Sequence, residues 1–104
     1  MTNDHVDDFE HEQLKQEEAQ KFREQREAER RLDFVRVMET AEGMRVLRCI
    51  LEMTRLYQLS YTPGDALATA FREGSRNVGL QLLATMGDAD SNLCDAVVRD
   101  LGKE

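Results

Sequence analysis

Residues 62–86, TPGDALATAFREGSRNVGLQLLATM, decide how the chain folds. Thr62 suits the N-cap of a helix, Pro63 suits its first position, and Asp65 follows the cap by three residues, in a variant of the capping box. Apolar residues and one glycine then recur at helical spacing on one face: Leu67, Phe71, Gly74, Val78 and Leu82. The pattern predicts an amphipathic helix that buries this face and ends near Met86.

Two glycines, Gly74 and Gly79, lie inside this predicted helix. Each costs about 1 kcal/mol relative to alanine in a helix interior, so their presence needs a reason. Close packing of a neighbouring helix is the first explanation. A protein-binding patch is the alternative, because Arg72, Arg76 and Asn77 beside the glycines could reach the carbonyl groups of a partner.

The preceding segment predicts a second core helix. Residues 32–38 form the first dense apolar patch, and Thr40 suits the N-cap of a helix over about 41–57. A core-facing stripe recurs at helical spacing along it: Val46, Leu47, Ile50, Leu51, Thr54 and Tyr57. Arginines and one acid follow the other side: Arg45, Arg48, Glu52 and Arg55. The apolar arc is wider than one neighbour would cover, so this helix contacts either two elements, which we prefer, or another chain. The residues that widen the arc are Met44, Cys49, Met53 and Leu56.

A last helix follows Met86. Asp88, Asp90 or Ser91 would cap it, and its apolar face carries Leu93, Val97 and Leu101. No strand-like alternation of useful length occurs in the sequence. We therefore predict an all-α fold, in which a long charged N-terminal helix precedes a compact bundle of about three helices.

The first 31 residues differ from the rest in composition. They hold ten acidic and six basic residues, with acids leading and bases closing, and no Gly or Pro follows Asn3. This order suits the helix dipole and predicts a charged helical arm over 1–31, ahead of a small helical domain over 32–104. Phe9, Leu14 and Phe22 are too sparse for a heptad repeat. They either lie on a solvated helix or dock on another subunit or protein.

Length and composition exclude several classes of protein. With 104 residues, a net charge of −7 and 34% charged residues, the chain forms at most one small core and as a whole repels phosphate backbones. No apolar run approaches the length of a membrane span, and the polar N-terminus does not resemble a signal peptide. Direct binding to nucleic acid or to a membrane is therefore not expected.

The sequence lacks the common motifs of catalysis and of cofactor binding. His5 and His11 lack the spacing of metal ligands, and the predicted body contains no histidine that could serve Cys49 or Cys94 as a base. Both cysteines are expected to be reduced. We predict a protein without enzymatic activity, metal or cofactor.

Two stretches carry a resemblance to a known family. Residues 33–52, DFVRVMETAEGMRVLRCILE, and 61–83, YTPGDALATAFREGSRNVGLQLL, resemble a family of short helical proteins from Bordetella-type tailed phages of the podovirus kind. The matching positions include Asp33, Phe34, Glu42, Gly43, Val46, Leu47, residues 68–71, Glu73, Gly74 and residues 76–80. Neither the arm nor the last helix contributes to the resemblance. Members of this family are encoded among structural genes and have no established activity.

The resemblance implies a virion-associated or assembly protein that acts by binding. Its partners would be other phage structural proteins, at the portal or in the internal core and ejection apparatus, and it would be found in the virion and, during assembly, in the host cytoplasm. Homo-oligomers are also expected from the wide apolar arc. The candidate binding residues are Arg72, Gly74, Arg76, Asn77 and Gly79 on the body and Phe9, Leu14 and Phe22 on the arm.

Two alternatives remain open at this point. The chain could be a small acidic regulator, whose arm imitates nucleic acid on a host or phage protein. It could also be a DNA-packaging accessory with a local basic face made of Arg45, Arg48, Arg55, Arg72 and Arg76.

Overall fold

The computed structural model describes residues 4–57 and 63–101, and side chains from Asp7 onward. Over these ranges the chain forms four helices and no strand. They are α1 (Asp4–Met38), α2 (Ala41–Met53), α3 (Ala66–Ala89) and α4 (Ser91–Val98). The predicted all-α fold, with a long N-terminal helix before shorter ones, is confirmed.

The chain divides into two units, one ending at Arg30 and the other starting at Arg31. The first unit holds the charged part of α1, whose described side chains are exposed. The second holds the last turns of α1 and the other three helices. Among these, α2 contacts both α3 and α4, and α3 contacts α4. The expectation that α2 has two neighbours is therefore confirmed.

Helix α2 begins as its sequence predicts but ends early. The Thr40 hydroxyl accepts a hydrogen bond from the Gly43 N–H at 2.9 Å, which confirms the predicted N-cap. The last helical residue is Met53 rather than Tyr57, and Thr54 is the C-cap. Arg55 then adopts a left-handed backbone conformation, with φ of 55°, so the chain turns away from the helix axis.

Helix α3 starts three residues later than predicted and ends three residues later. Pro63 and Gly64 lie in a turn, and Gly64 has a φ of +77° that favours glycine. Asp65 is the N-cap, because its carboxylate accepts from the Ala68 N–H at 2.9 Å. The assignment of Pro63 to the first helical position was wrong, and Thr62 lies outside the described residues. Asp90 both ends α3 and caps α4, which selects one of the three predicted caps.

The core of the second unit collects apolar side chains from all four helices and from the turn after α2. The buried members are Met38, Leu47, Leu51, Leu56, Met86, Cys94 and Val97. Partly buried residues surround them: Phe34, Met44, Leu82, Leu83, Ala89, Leu93, Val98 and Leu101. None of the described helices is both long and apolar enough to cross a membrane.

Helix α2 presents part of its predicted face to this core, and helix α3 presents a different one. Of the predicted α2 stripe, Leu47, Leu51 and Thr54 are buried, whereas Val46, Ile50 and, beyond the end of the helix, Tyr57 are exposed. Arg48, predicted on the other side, is partly buried. On α3 the predicted face is exposed at Leu67, Phe71, Gly74 and Val78, and only Leu82 reaches the core. The buried side of α3 runs through Gly79 and Met86 instead, about 90° around the helix axis. Because α3 is rotated in this way, a row of its apolar side chains stays exposed to solvent.

Candidate protein-binding surface

Gly79 of α3 packs directly against the turn that follows α2. A Cβ atom at position 79 would overlap the Thr54 hydroxyl, would stand 3.0 Å from the Thr54 Cβ, and would stand 3.4 Å from a methyl group of Leu56. Real Cβ atoms do not approach so closely, so only glycine fits without movement. The close approach expected at the two glycines is therefore present at Gly79.

Two side chains next to Gly79 bind carbonyl groups of the same turn. The Ser75 hydroxyl donates to the Thr54 carbonyl at 3.1 Å, and the Arg76 Nε donates to the Leu56 carbonyl at 3.0 Å. These carbonyls follow a helix end and have no partner within α2, so the contacts from α3 satisfy them. Arg76, a candidate for binding a partner's carbonyl, binds a carbonyl of its own chain.

The remaining candidate residues of the body lie apart from this crossing. Gly74 and Asn77 are exposed, and a Cβ atom at Gly74 would have no other atom within 4 Å. Arg72 is partly buried. Of the five candidates, Gly79 and Arg76 therefore contact the turn after α2, whereas Gly74 and Asn77 face solvent.

A groove of about 500 Å³ lies between the end of α2 and the first turns of α3. It is lined by Met53, Arg55, Ala68, Phe71, Arg72 and Ser75. Two apolar side chains dominate it, since Met53 is 72% exposed and Phe71 is 79% exposed. Arg55, just after α2, and Arg72 of α3 also line this groove. The groove therefore combines apolar side chains with positively charged ones.

The apolar surface continues along α3 beyond the groove. Leu67 is 86% exposed and Val78 is 57% exposed, and both share a face of the helix with Phe71. We call Met53, Leu67, Phe71 and Val78 together the apolar row. The periodicity of the α3 members was visible in the sequence, but it was interpreted as a core stripe. Met53 was counted in the wide apolar arc of α2, but it was not among the candidate binding residues.

The arm candidates Phe9, Leu14 and Phe22 are all exposed on α1. Phe22 has one local neighbour, since the Arg26 guanidinium lies 5.8 Å from the centre of its ring. This distance is within the range of a cation–π interaction.

Arg48 and Cys94 lie within the packed part of the second unit. Arg48 donates to the carbonyls of Val97 and Ala96 at 2.7 and 3.1 Å and lies 3.6 Å from the Asp100 carboxylate. Burial raises the pKa of the Cys94 thiol, and the negative charge of Asp95 acts in the same direction. Within the described ranges, no three His, Cys, Asp or Glu side chains are grouped so that they could hold a metal ion.

The structure thus defines a small all-α protein with an uncovered apolar row on its helical body. A family model for Bbp19-like phage proteins matches residues 34–98, which is more than half of the chain. The chain belongs to this family and is a phage protein. The match begins in the last turns of α1 and includes α4, which the sequence resemblance had left out. No curated protein and no solved structure matches the chain.

Proposed function

We propose that this phage protein is a non-enzymatic virion-associated or assembly protein that binds other virion proteins. The partners would be podovirus portal or internal core and ejection proteins, and the binding surface would be the apolar row. The protein would act in the host cytoplasm during assembly and remain in the virion. The observation that carries the proposal is the exposure of Phe71 and Met53 at the groove between α2 and α3.

The groove has the composition of a protein-binding site. Aromatic residues, methionine and arginine are enriched in protein interfaces, and one buried aromatic side chain removes about 150–250 Å² from water. Phe71 and Met53 would enter a partner, while Arg55 beside them would bind acidic or carbonyl groups. The surface stands on a rigid support, because Ser75, which lines the groove, also binds the Thr54 carbonyl.

Cys94 is poorly suited to act as a nucleophile, because burial raises the pKa of its thiol.

The DNA-packaging alternative is weakened by the contacts of its proposed basic face. Arg48 is bonded to carbonyls of α4, and Arg76 is bonded to the carbonyl of Leu56. Arg48 and Arg76 are thus committed to the fold. A DNA-binding role would show as a gel shift at low salt that weakens as salt rises.

The test is quantitative mass spectrometry of purified virions of the phage that encodes the chain. We expect wild-type copies in the particle and a marked loss for the double variant Met53→Ser with Phe71→Ser. Leu80→Ser is the matched control, since Leu80 is a partly exposed apolar residue on the opposite side of α3 from Phe71. Circular dichroism would verify that both variants fold. Absence of the wild-type protein from particles would contradict the proposal and favour the acidic regulator or a transient factor.

A further inference from the structure

One row of side chains runs along α1 with a graded chemistry. Its members follow one another at intervals of four residues: Glu10, Leu14, Glu18, Phe22, Arg26 and Arg30. All six are exposed. Residues four apart lie one above another on a helix, so the row is a continuous strip that turns gradually around the axis. The strip starts acidic, is apolar at two positions, and ends basic.

The whole arm has the same asymmetry of charge. Residues 4–18 contain seven acidic residues and one lysine, a net charge of −6. Residues 19–31 contain five basic and three acidic residues, a net charge of +2. Opposite charges are therefore separated along one helix. A second copy of such a helix, running in the opposite direction, places its basic half beside the acidic half of the first.

We infer that the arms of two copies of this chain pair side by side in antiparallel orientation, with the middle of this row between them and Glu10 and Arg30 at the edges of the contact. Antiparallel pairing places the acidic half of each arm against the basic half of the other. Parallel pairing would place acid on acid and is disfavoured. The contact of the first acidic half with the second basic half is then equivalent to the contact of the second acidic half with the first basic half. A closed two-fold dimer requires this equivalence.

The middle of the row provides the apolar part of this contact. Leu14, Glu18, Phe22 and Arg26 lie within about 120° of arc, so one neighbouring helix can cover them together. In a register centred on Gln20, Leu14 of one copy is level with Arg26 of the other, and Glu18 is level with Phe22, on which that Arg26 stacks. Glu18 of one copy then lies one turn from Arg26 of the other. Both exposed apolar side chains of the row are covered, and no heptad repeat is needed.

This inference is independent of the proposed function, because the arm lies outside the family match and the apolar row lies on the body. Failure of arm pairing would leave binding through Phe71 and Met53 untouched. Loss of binding through the body would leave arm pairing untouched. The two are therefore tested separately.

The test uses sedimentation equilibrium of the full chain and three charge variants. The first variant carries Glu10→Arg and Glu18→Arg, so that its row is wholly basic. The second carries Arg26→Glu and Arg30→Glu, so that its row is wholly acidic. The third carries all four changes, so that its row starts basic and ends acidic. Two antiparallel copies of this variant again place opposite charges side by side. Circular dichroism establishes that α1 stays helical in each.

We expect a wild-type dimer whose dissociation constant rises roughly tenfold or more as salt shortens the screening length from about 10 Å at 0.1 M to about 3 Å at 1 M. The basic and the acidic variants should each lose self-association, an equimolar mixture of the two should form a heterodimer, and the inverted variant should dimerise. A monomeric wild-type chain at low salt would overturn the inference. So would dimers that persist in both single-sign variants, or a mixture that stays monomeric.

Discussion

Gly79 fits against Thr54 so closely that no side chain can be added there without movement. Thr54 is itself fixed, because its hydroxyl donates to the Leu51 carbonyl at 2.6 Å and its side chain is buried. The contact joins α3 to the turn after α2, next to the bonds from Ser75 and Arg76. It sets the rotation of α3 and thereby decides which of its apolar residues face water.

Replacing Gly79 by alanine should destabilise the protein, although alanine is the better helix former. The added methyl group must displace Thr54 or shift α3, and overpacking of this kind typically costs about 1–3 kcal/mol. Gly74→Ala is the matched control on the same helix, where the new Cβ meets open space. It should raise the unfolding free energy by about 0.5–1 kcal/mol. Urea unfolding followed by circular dichroism measures both. Equal effects of the two changes would show that Gly79 is not confined by Thr54.

The sequence predicted the type of each helix more reliably than its rotation. The N-cap at Thr40 and the helical form of the charged arm follow from local rules, since caps and charge order act within one turn. The face of α3 does not follow from such rules. Its apolar arc includes both the exposed Phe71 and the buried Met86, which lie only about 60° apart around the axis, so periodicity alone does not show which part of the arc is buried. The choice depends on bonds between distant residues, such as Arg76 with Leu56.

The candidate site, too, could be predicted only where it depends on residues close together in the sequence. The sequence singled out the run around Gly74 and Gly79, and Gly79 does lie at a close approach. It could not show that Arg76 is used within the chain, because the carbonyl it binds is 20 residues away. Met53 was missed as a binding residue for a related reason. Helix α2 ends at that residue, and the early end depends on the turn through Arg55.

Arg48 is predicted to be the arginine of the body whose loss costs most stability. Its two hydrogen bonds satisfy carbonyls at the end of α4, and charged hydrogen bonds of this kind contribute about 1.5–3 kcal/mol each before relaxation. We expect Arg48→Ala to lower the unfolding free energy by roughly 2 kcal/mol, because the carbonyls of Val97 and Ala96 lose their partner. Differential scanning calorimetry or urea unfolding measures the change.

Arg45→Ala is the control for this prediction. Arg45 lies one turn from Arg48 on the same helix, and its side chain is 65% exposed with Glu42 at 4.0 Å. Exposed pairs contribute about 0–1 kcal/mol, so the change should be within about 0.5 kcal/mol of wild type. A loss for Arg45→Ala as large as that for Arg48→Ala would contradict the role assigned to the α4 carbonyls.

The raised pKa of the Cys94 thiol predicts a loss of stability in alkali. Between the ordinary thiol pKa and the raised one, the folded chain keeps the proton and the unfolded chain has lost it. Unfolding then releases a proton, so its free energy falls as pH rises through this window and is unaffected by Cys94 below it. Urea unfolding from about pH 7 to about pH 10 spans the ordinary value of about 8.5.

A variant of Cys94 isolates this contribution. Cys94→Ala should remove part of the alkaline decline. Thiol-specific labelling of the native protein should modify the exposed Cys49 first and the buried Cys94 only on unfolding. Rapid labelling of Cys94 in the native state would refute the burial on which the pH prediction depends.

Removal of the exposed apolar row should leave folding almost intact, because its side chains contribute little to the core. Phe71→Ser exchanges one side chain that is mostly in water for another of similar helix propensity, so the unfolding free energy should change by less than about 0.5 kcal/mol. Leu51→Ala is the contrast, since Leu51 is fully buried and its truncation typically costs about 2–5 kcal/mol. A large loss for Phe71→Ser would mean that the isolated chain already buries this residue, and the row could then not serve a partner. A small loss would separate folding from binding, so that any defect of Phe71→Ser in virions would report on the partner alone.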